Sequence, residues 1–177
     1  MRHLAIIVAA LTLVAGCDRQ EAAGPPPPPH ALTREANGYY CGMIVIDHPG
    51  PKAQIFLRGQ DQPIWFTSVR DAMAYTRLPE ENKAITAIYV TDMGRAQSWA
   101  TPGPGIWIDA RQAWYVLGSA KRGGMGAREA VPFGDKAAAL AFIARYGGQI
   151  STFSDVPDSY VLGGDDDMND DKQGVQP

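Results

Sequence analysis

Ile64-Trp65-Phe66-Thr67-Ser68-Val69-Arg70-Asp71-Ala72-Met73-Ala74-Tyr75 passes from a short extended triplet straight into a capped helix. Ser68 stands at the N-cap position with Asp71 three residues on, and Thr67 offers the same hydroxyl one residue earlier. Val69, Ala72 and Met73 recur at helical spacing with Tyr75 beside them, so Met73 reads as core, and Pro79 closes the segment. The pattern returns at Val131-Pro132-Phe133, followed by a helix capped near Gly134 or Asp135 that holds Ala138, Leu140, Ala141, Phe142 and Ile143. Tyr146-Gly147-Gly148 ends that helix with a glycine C-cap. Each helix leads to a strand, residues 84–92 and 149–153, and each strand runs out at Ser/Thr-Asp (Thr91-Asp92, Ser154-Asp155). The spacing predicts an α+β fold of two similar ββαβ units, alike in order more than in identity.

Upstream of the first helix, residues 41–47 read as a strand and Pro49-Gly50-Pro51 as a turn. Residues 52–58 alternate Ala53, Ile55 and Leu57 against Gln54 and Arg58, with Phe56 the exception; together these predict a β-hairpin. Residues 63–66 are short and extended. In the second half, residues 106–109 and 112–118 are strand-like around a turn at Ala110-Arg111, and the glycine-rich loop Gly123-Gly124-Met125-Gly126 follows. The body is expected over residues 37–163, divided into units 37–95 and 96–163, a normal size for one domain or two small ones sharing a core.

The N-terminus predicts export. Arg2 and His3 precede an apolar run from Leu4 to Val14, too short to span a bilayer but suited to a secretory signal over residues 1–16. Leu13-Val14-Ala15-Gly16-Cys17 resembles a bacterial lipobox. That resemblance implies cleavage before Cys17 and lipid on Cys17, with Asp18 favouring the inner membrane of the periplasm. Residues 17–36, including Pro25-Pro26-Pro27-Pro28-Pro29, read as a polyproline spacer at about 3.1 Å per residue, with His30 solvated in it. Residues 164–177, with Asp165-Asp166-Asp167 and Asp170-Asp171, read as a disordered acidic tail in which Met168 has no packing partners. The chain carries 16 Lys and Arg against 19 Asp and Glu, interspersed, and no basic stripe argues for nucleic acid.

With Cys17 lipidated, Cys41 has no partner within the chain, and an unpaired exported thiol is a liability unless it is protected or used. It lies in Tyr39-Tyr40-Cys41-Gly42-Met43-Ile44-Val45-Ile46-Asp47-His48. In a strand Cys41 and Met43 would share one face with backbones about 6.6 Å apart. A thiolate and a thioether favour Cu(I) over hard cations. The ordinary alternative is that both residues fill the core.

Cys41-Gly42-Met43 followed by Val/Ile and Asp, and Trp114-Tyr115-Val116 leading through Gly118-Ser119 to Gly124-Met125-Gly126, resemble the NosL family over most of the body. The resemblance implies paired ββαβ units related in architecture to organomercury lyase. It also implies a lipoprotein that holds Cu(I) for the copper–sulfide centre of nitrous-oxide reductase, together with the ABC-type maturation complex encoded beside that enzyme. Carried over by position, Cys41 and Met43 are the first ligands and Met125 the third. The loop before Met125, Lys121-Arg122-Gly123-Gly124, departs from relatives that place a proline there. Glycines around Met125 allow close backbone approach, and a shared ion would lie at the junction of the two halves. His48 is the rival third ligand; its odd offset from Cys41 aims it at the other strand face unless the Pro49-Gly50-Pro51 turn redirects it.

Two other classes compete. A Cys41–His48 nucleophile and base would suit an enzyme, but the body offers one histidine and no oxyanion motif. An adaptor lipoprotein would use Trp65, Trp99, Trp107 and Trp114 as anchors, residues more often spent on packing.

Overall fold

The computed structural model describes residues 24–163. The expected signal peptide, Cys17 and acidic tail with Met168 lie outside the described residues. The chain forms a mixed α/β fold with two small antiparallel sheets. In chain order come β1 (Ala53–Leu57), β2 (Ile64–Phe66), α1 (Val69–Arg77), β3 (Ile85–Thr91), β4 (Trp107–Asp109) and β5 (Trp114–Leu117). They are followed by β6 (Val131–Phe133), α2 (Lys136–Tyr146), β7 (Gln149–Thr152) and α3 (Asp158–Leu162). The first sheet has the order β2-β1-β3-β4 and the second β6-β5-β7.

Both long helices start where the sequence places them. The Ser68 hydroxyl accepts from the Asp71 N–H and the Asp135 carboxylate from the Ala138 N–H, and Gly147 ends α2 at φ +69°. Ala53, Ile55 and Leu57 turn one face of β1 onto Val69, Ala72 and Met73 of α1. The same cluster takes in Ala110, Ala113, Tyr115, Ala130, Val156, Tyr160 and Val161, so the two sheets share one core. A smaller cluster of Val116, Val131, Phe133 and Ala139 seats α2 on the second sheet.

Three expectations change. Residues 106–109 do not form a hairpin with residues 112–118. Instead β4 pairs with β3, Val90 opposite Ile108, and a 3₁₀ turn over Ala110–Gln112 carries the chain to the other sheet. Ala110 is fully buried at that crossing, which seats the turn expected at Ala110-Arg111 in the core between the sheets. Residues 41–47 are not a strand, for reasons that belong to the site. The proline-rich segment is not a free spacer: Tyr89 donates from its hydroxyl to the Pro27 carbonyl at 2.6 Å, and His30, half-buried, packs edge-on against Phe56.

Candidate metal centre

The first site loop is closed by its own backbone. Val45 N–H donates to the Ala36 carbonyl at 2.9 Å, Gly38 N–H to the Met43 carbonyl at 2.8 Å, and Gly42 N–H to the Gly38 carbonyl at 2.7 Å. Gly42 adopts φ +67°, a left-handed conformation costly for a residue with a Cβ. The strand expected over residues 41–47 fails here. The chain turns at Gly42, makes one bridge between Asn37 and Ile44, and winds into a 3₁₀ turn over Val45–Asp47 with Val45 fully buried. Cys41 and Met43 therefore flank a tight turn, and strand alternation no longer sets their relative direction.

Tyrosines hold this loop from outside. Tyr39 N–H donates to the Trp65 carbonyl at 2.7 Å. The Tyr39 and Tyr40 hydroxyls donate to the two oxygens of Glu81 at 3.0 and 2.9 Å. That bond to Glu81 holds the Tyr39 phenol above its ordinary range; for Tyr40 burial comes first and the same carboxylate second. Cys41 is a free, half-buried thiol with Sγ 3.8 Å from Thr67 Oγ1, just ahead of α1. A Cβ on Gly38 would stand 2.5 Å from that sulfur, so glycine leaves room for the thiol.

The second loop is a short hairpin with Met125 near its tip. Arg122 bridges Arg128, Gly123 N–H donates to the Ala127 carbonyl at 2.9 Å, and Gly126 N–H to the Gly123 carbonyl at 2.9 Å. His48 lies against it, with Nδ1 3.4 Å from the Gly124 carbonyl oxygen. The strand alternation that would aim His48 at the face opposite Cys41 does not operate, because the chain is not extended between Cys41 and His48.

Glu129, unremarked in the sequence, ties the Met125 hairpin to the start of α1. Its carboxyl is buried, and Oε1 accepts from Ser68 Oγ at 3.3 Å, Arg70 N–H at 3.0 Å and its neighbour Ala130 N–H at 2.9 Å. Among the described residues Oε2 has no hydrogen-bond partner, and it lies against Gly123 at the base of the Met125 hairpin. Burial pushes this carboxyl up to about 8. Nearby Lys52 is also buried, its Nζ donating to the Pro49 and Gly50 carbonyls at 2.9 and 2.6 Å, and burial lowers it to about 8. Both sulfur-bearing loops therefore rest on the N-terminal end of α1, the first through Thr67 and the second through Glu129. A signal was present in the sequence: Glu129 is a lone acid opening the apolar run Ala130-Val131.

Chemically, the arrangement offers one thiol and two solvent-accessible thioethers. Met43 is 39% exposed and Met125 51%, so both thioethers can be reached from solvent. Among the described residues no group of three or more His, Cys, Asp or Glu converges. The rival pairings are not made. The polar neighbour of Cys41 is Thr67 and that of His48 is Gly124, so Cys41 and His48 are not hydrogen-bonded to each other. The tryptophans are engaged in packing: Trp65 against Trp107 at 5.8 Å, Trp99 stacked on Phe142 at 6.2 Å, and Trp114 beneath Lys136 at 4.7 Å.

Comparison with known proteins agrees with this chemistry. The NosL family profile matches residues 29–161. The chain is 49% identical over 158 residues to the copper-binding lipoprotein NosL of Achromobacter cycloclastes, covering 89% of this chain and 81% of the relative. It is 34% identical over 142 residues to the copper-binding lipoprotein NosL of Stutzerimonas stutzeri, covering 80% of this chain and 72% of that one. The crystal structure of the copper chaperone NosL from Shewanella denitrificans superposes with a TM-score of 0.71 at 32% identity, over 76% of this chain and 99% of that chain. These relatives are named for copper binding or chaperoning, not for an enzymatic activity.

Proposed function

The chain belongs to the NosL family, and from that premise we propose that it is a lipid-anchored periplasmic carrier of Cu(I). The ion would be held by Cys41, Met43 and Met125, with His48 competing for the third position. One observation carries the reading: two exposed thioethers and a free thiol lie on loops seated on the same helix end. Exposure of a Met side chain forgoes apolar burial, and copper ligation is a use that repays it. Few soft ligands at a surface bind Cu(I) and still release it by stepwise exchange to an acceptor. Binding displaces the thiol proton, so affinity rises with pH through the thiol titration. By family analogy the recipients are nitrous-oxide reductase and its ABC-type maturation complex, and Cys17 carries the anchor.

The fold supports a duplicated plan. β1-β2-α1-β3 and β5-β6-α2-β7 share one order, and in each the first strand lies between the other two. Anaerobic competition for Cu(I) with a chromogenic chelator tests the ligand set. Cys41→Ser is expected to lose most of the affinity, and Met125→Leu about tenfold or more, at least ~1.4 kcal/mol. His48→Gln separates the alternatives: full affinity in that variant together with loss in Met125→Leu assigns the third position to Met125. Unchanged affinity in Cys41→Ser removes the proposal.

A further inference from the structure

Residues 24–30 behave as a docked strap. Besides the Tyr89–Pro27 bond, His30 N–H donates to Gln54 Oε1 at 2.8 Å and Gln54 Nε2 donates to the His30 carbonyl at 3.0 Å. This two-point pairing imitates a rung of a sheet. The strap covers Gln54 and Phe56, on the face of β1 that points away from α1, and leaves them 0% and 1% exposed. Polyproline is already extended, so docking it costs little conformational entropy.

The strap also has a direction. Residues 24–27 line a groove with Leu57, Arg58, Gln60 and Ile85 at the far end of β1. Beyond His30 the chain reaches the other end, where Leu32 shares a cavity wall with His48 and Lys52. The strap therefore runs antiparallel to β1, whose length is about 14 Å. The metal loops attach at the end the strap leaves, and the path to Cys17 departs from the opposite end.

We propose that the strap seats the body on the headgroup surface of a bilayer, with the β1–β2 turn at Gly59 and Gln60 toward lipid and the copper loops toward the aqueous side. This rests on the reading of Cys17 as the anchor. Cys17 and Gly24 are seven positions apart (24 − 17), a reach of at most about 25 Å. A linker free through residue 36 would add about 40 Å and let the body rotate freely. Docking removes that slack, and exposed Arg58 and Asp61 leave the lipid-facing turn near neutral, so the tether and not charge sets the orientation.

The test uses the mature chain beginning at Cys17, carrying Cys41→Ser, with a maleimide phospholipid coupled to Cys17. A donor dye is clicked to p-azidophenylalanine at Gln60 or at Arg122, and the protein is inserted into phosphatidylcholine–phosphatidylglycerol vesicles containing an acceptor lipid. The Gln60 dye is expected to lose most of its emission and the Arg122 dye to keep most of its own. Replacing Pro25–Pro29 with alternating glycine and serine, together with Tyr89→Phe, leaves His30 and its bonds to Gln54 in place and is expected to bring the two positions to the same transfer, with folding of the variant checked by its urea midpoint. Equal transfer in the native strap, or a difference that survives its replacement, overturns the proposal. Because the lipid is attached synthetically, native anchoring is decided separately by the mass of the N-terminal fragment of membrane-purified protein.

Discussion

The hydrogen bonds of Glu129 to Ser68, Arg70 and Ala130 all reach one of its oxygens, and the other is buried without a partner among the described residues. Its folded pKa, about 8, lies above the ordinary carboxyl value, chiefly through burial; Asp71 pushes the same way, and its bonds to Arg70 N–H, Ala130 N–H and Ser68 oppose the shift. The Glu129 charge opposes the fall that burial causes in Lys52. A carboxyl with a raised folded pKa keeps its proton in the native state after the unfolded chain has lost it. Its contribution to stability is therefore full below about pH 4.5 and declines as the pH rises toward 8. Glu129→Gln keeps an acceptor for Ser68 and Arg70 and does not ionise. It is expected to flatten that decline, read as urea midpoints at a series of pH values between 5 and 8.5. An equally steep decline in the variant would place the titration elsewhere. Gly38→Ala acts on the thiol. The new Cβ displaces Sγ from its place beside Thr67, while the backbone of Gly38 needs no positive φ. Cu(I) affinity in chelator competition is expected to fall several-fold, with the urea midpoint of the metal-free protein nearly unchanged.

At the scale of elements, local pattern and tertiary demand part company in residues 36–48. A β-branched run after Cys41 reads as a strand. The left-handed turn at Gly42 closes through backbone bonds within residues 36–45 that side-chain alternation does not report, and the Glu81 clamp on two tyrosines comes from a partner far along the chain. The helices were legible because their caps are local, Ser68 to Asp71 and Asp135 to Ala138. Sequence named the sulfur residues without the turn that carries them, and it missed Glu129 because a buried acid leaves only a faint trace in composition. The clamp gives a prediction of its own. Glu81→Ala frees both phenols, and since these bonds are largely exposed, global stability is expected to drop by no more than about 1 kcal/mol. The amides of Gly38 and Gly42, which close the loop, are expected to exchange markedly faster. Unaltered exchange there would mean the backbone bonds alone hold the turn.

For the molecule as a whole, Phe56 is the informative residue. It breaks the alternation of β1 because that strand is buried on both faces, by α1 on one side and by the proline strap on the other. A segment read as a spacer is thereby part of the fold, and stability should register it. A chain beginning at Ala31 uncovers the Phe56 ring, worth about 1.5–3 kcal/mol when fully buried. It also exchanges the paired Gln54 bonds for water, at roughly 1 kcal/mol in net terms. The truncated protein is expected to unfold about 2–4 kcal/mol more easily in urea, on the scale set by those two terms. Cu(I) affinity should stay within error of the full chain, because the strap crosses the sheet away from Cys41, Met43 and Met125. A spacer would give no stability change, and a strap that shaped the metal loops would change both readings. Stability lost with affinity kept is the outcome that identifies residues 24–30 as structural cover for the first sheet.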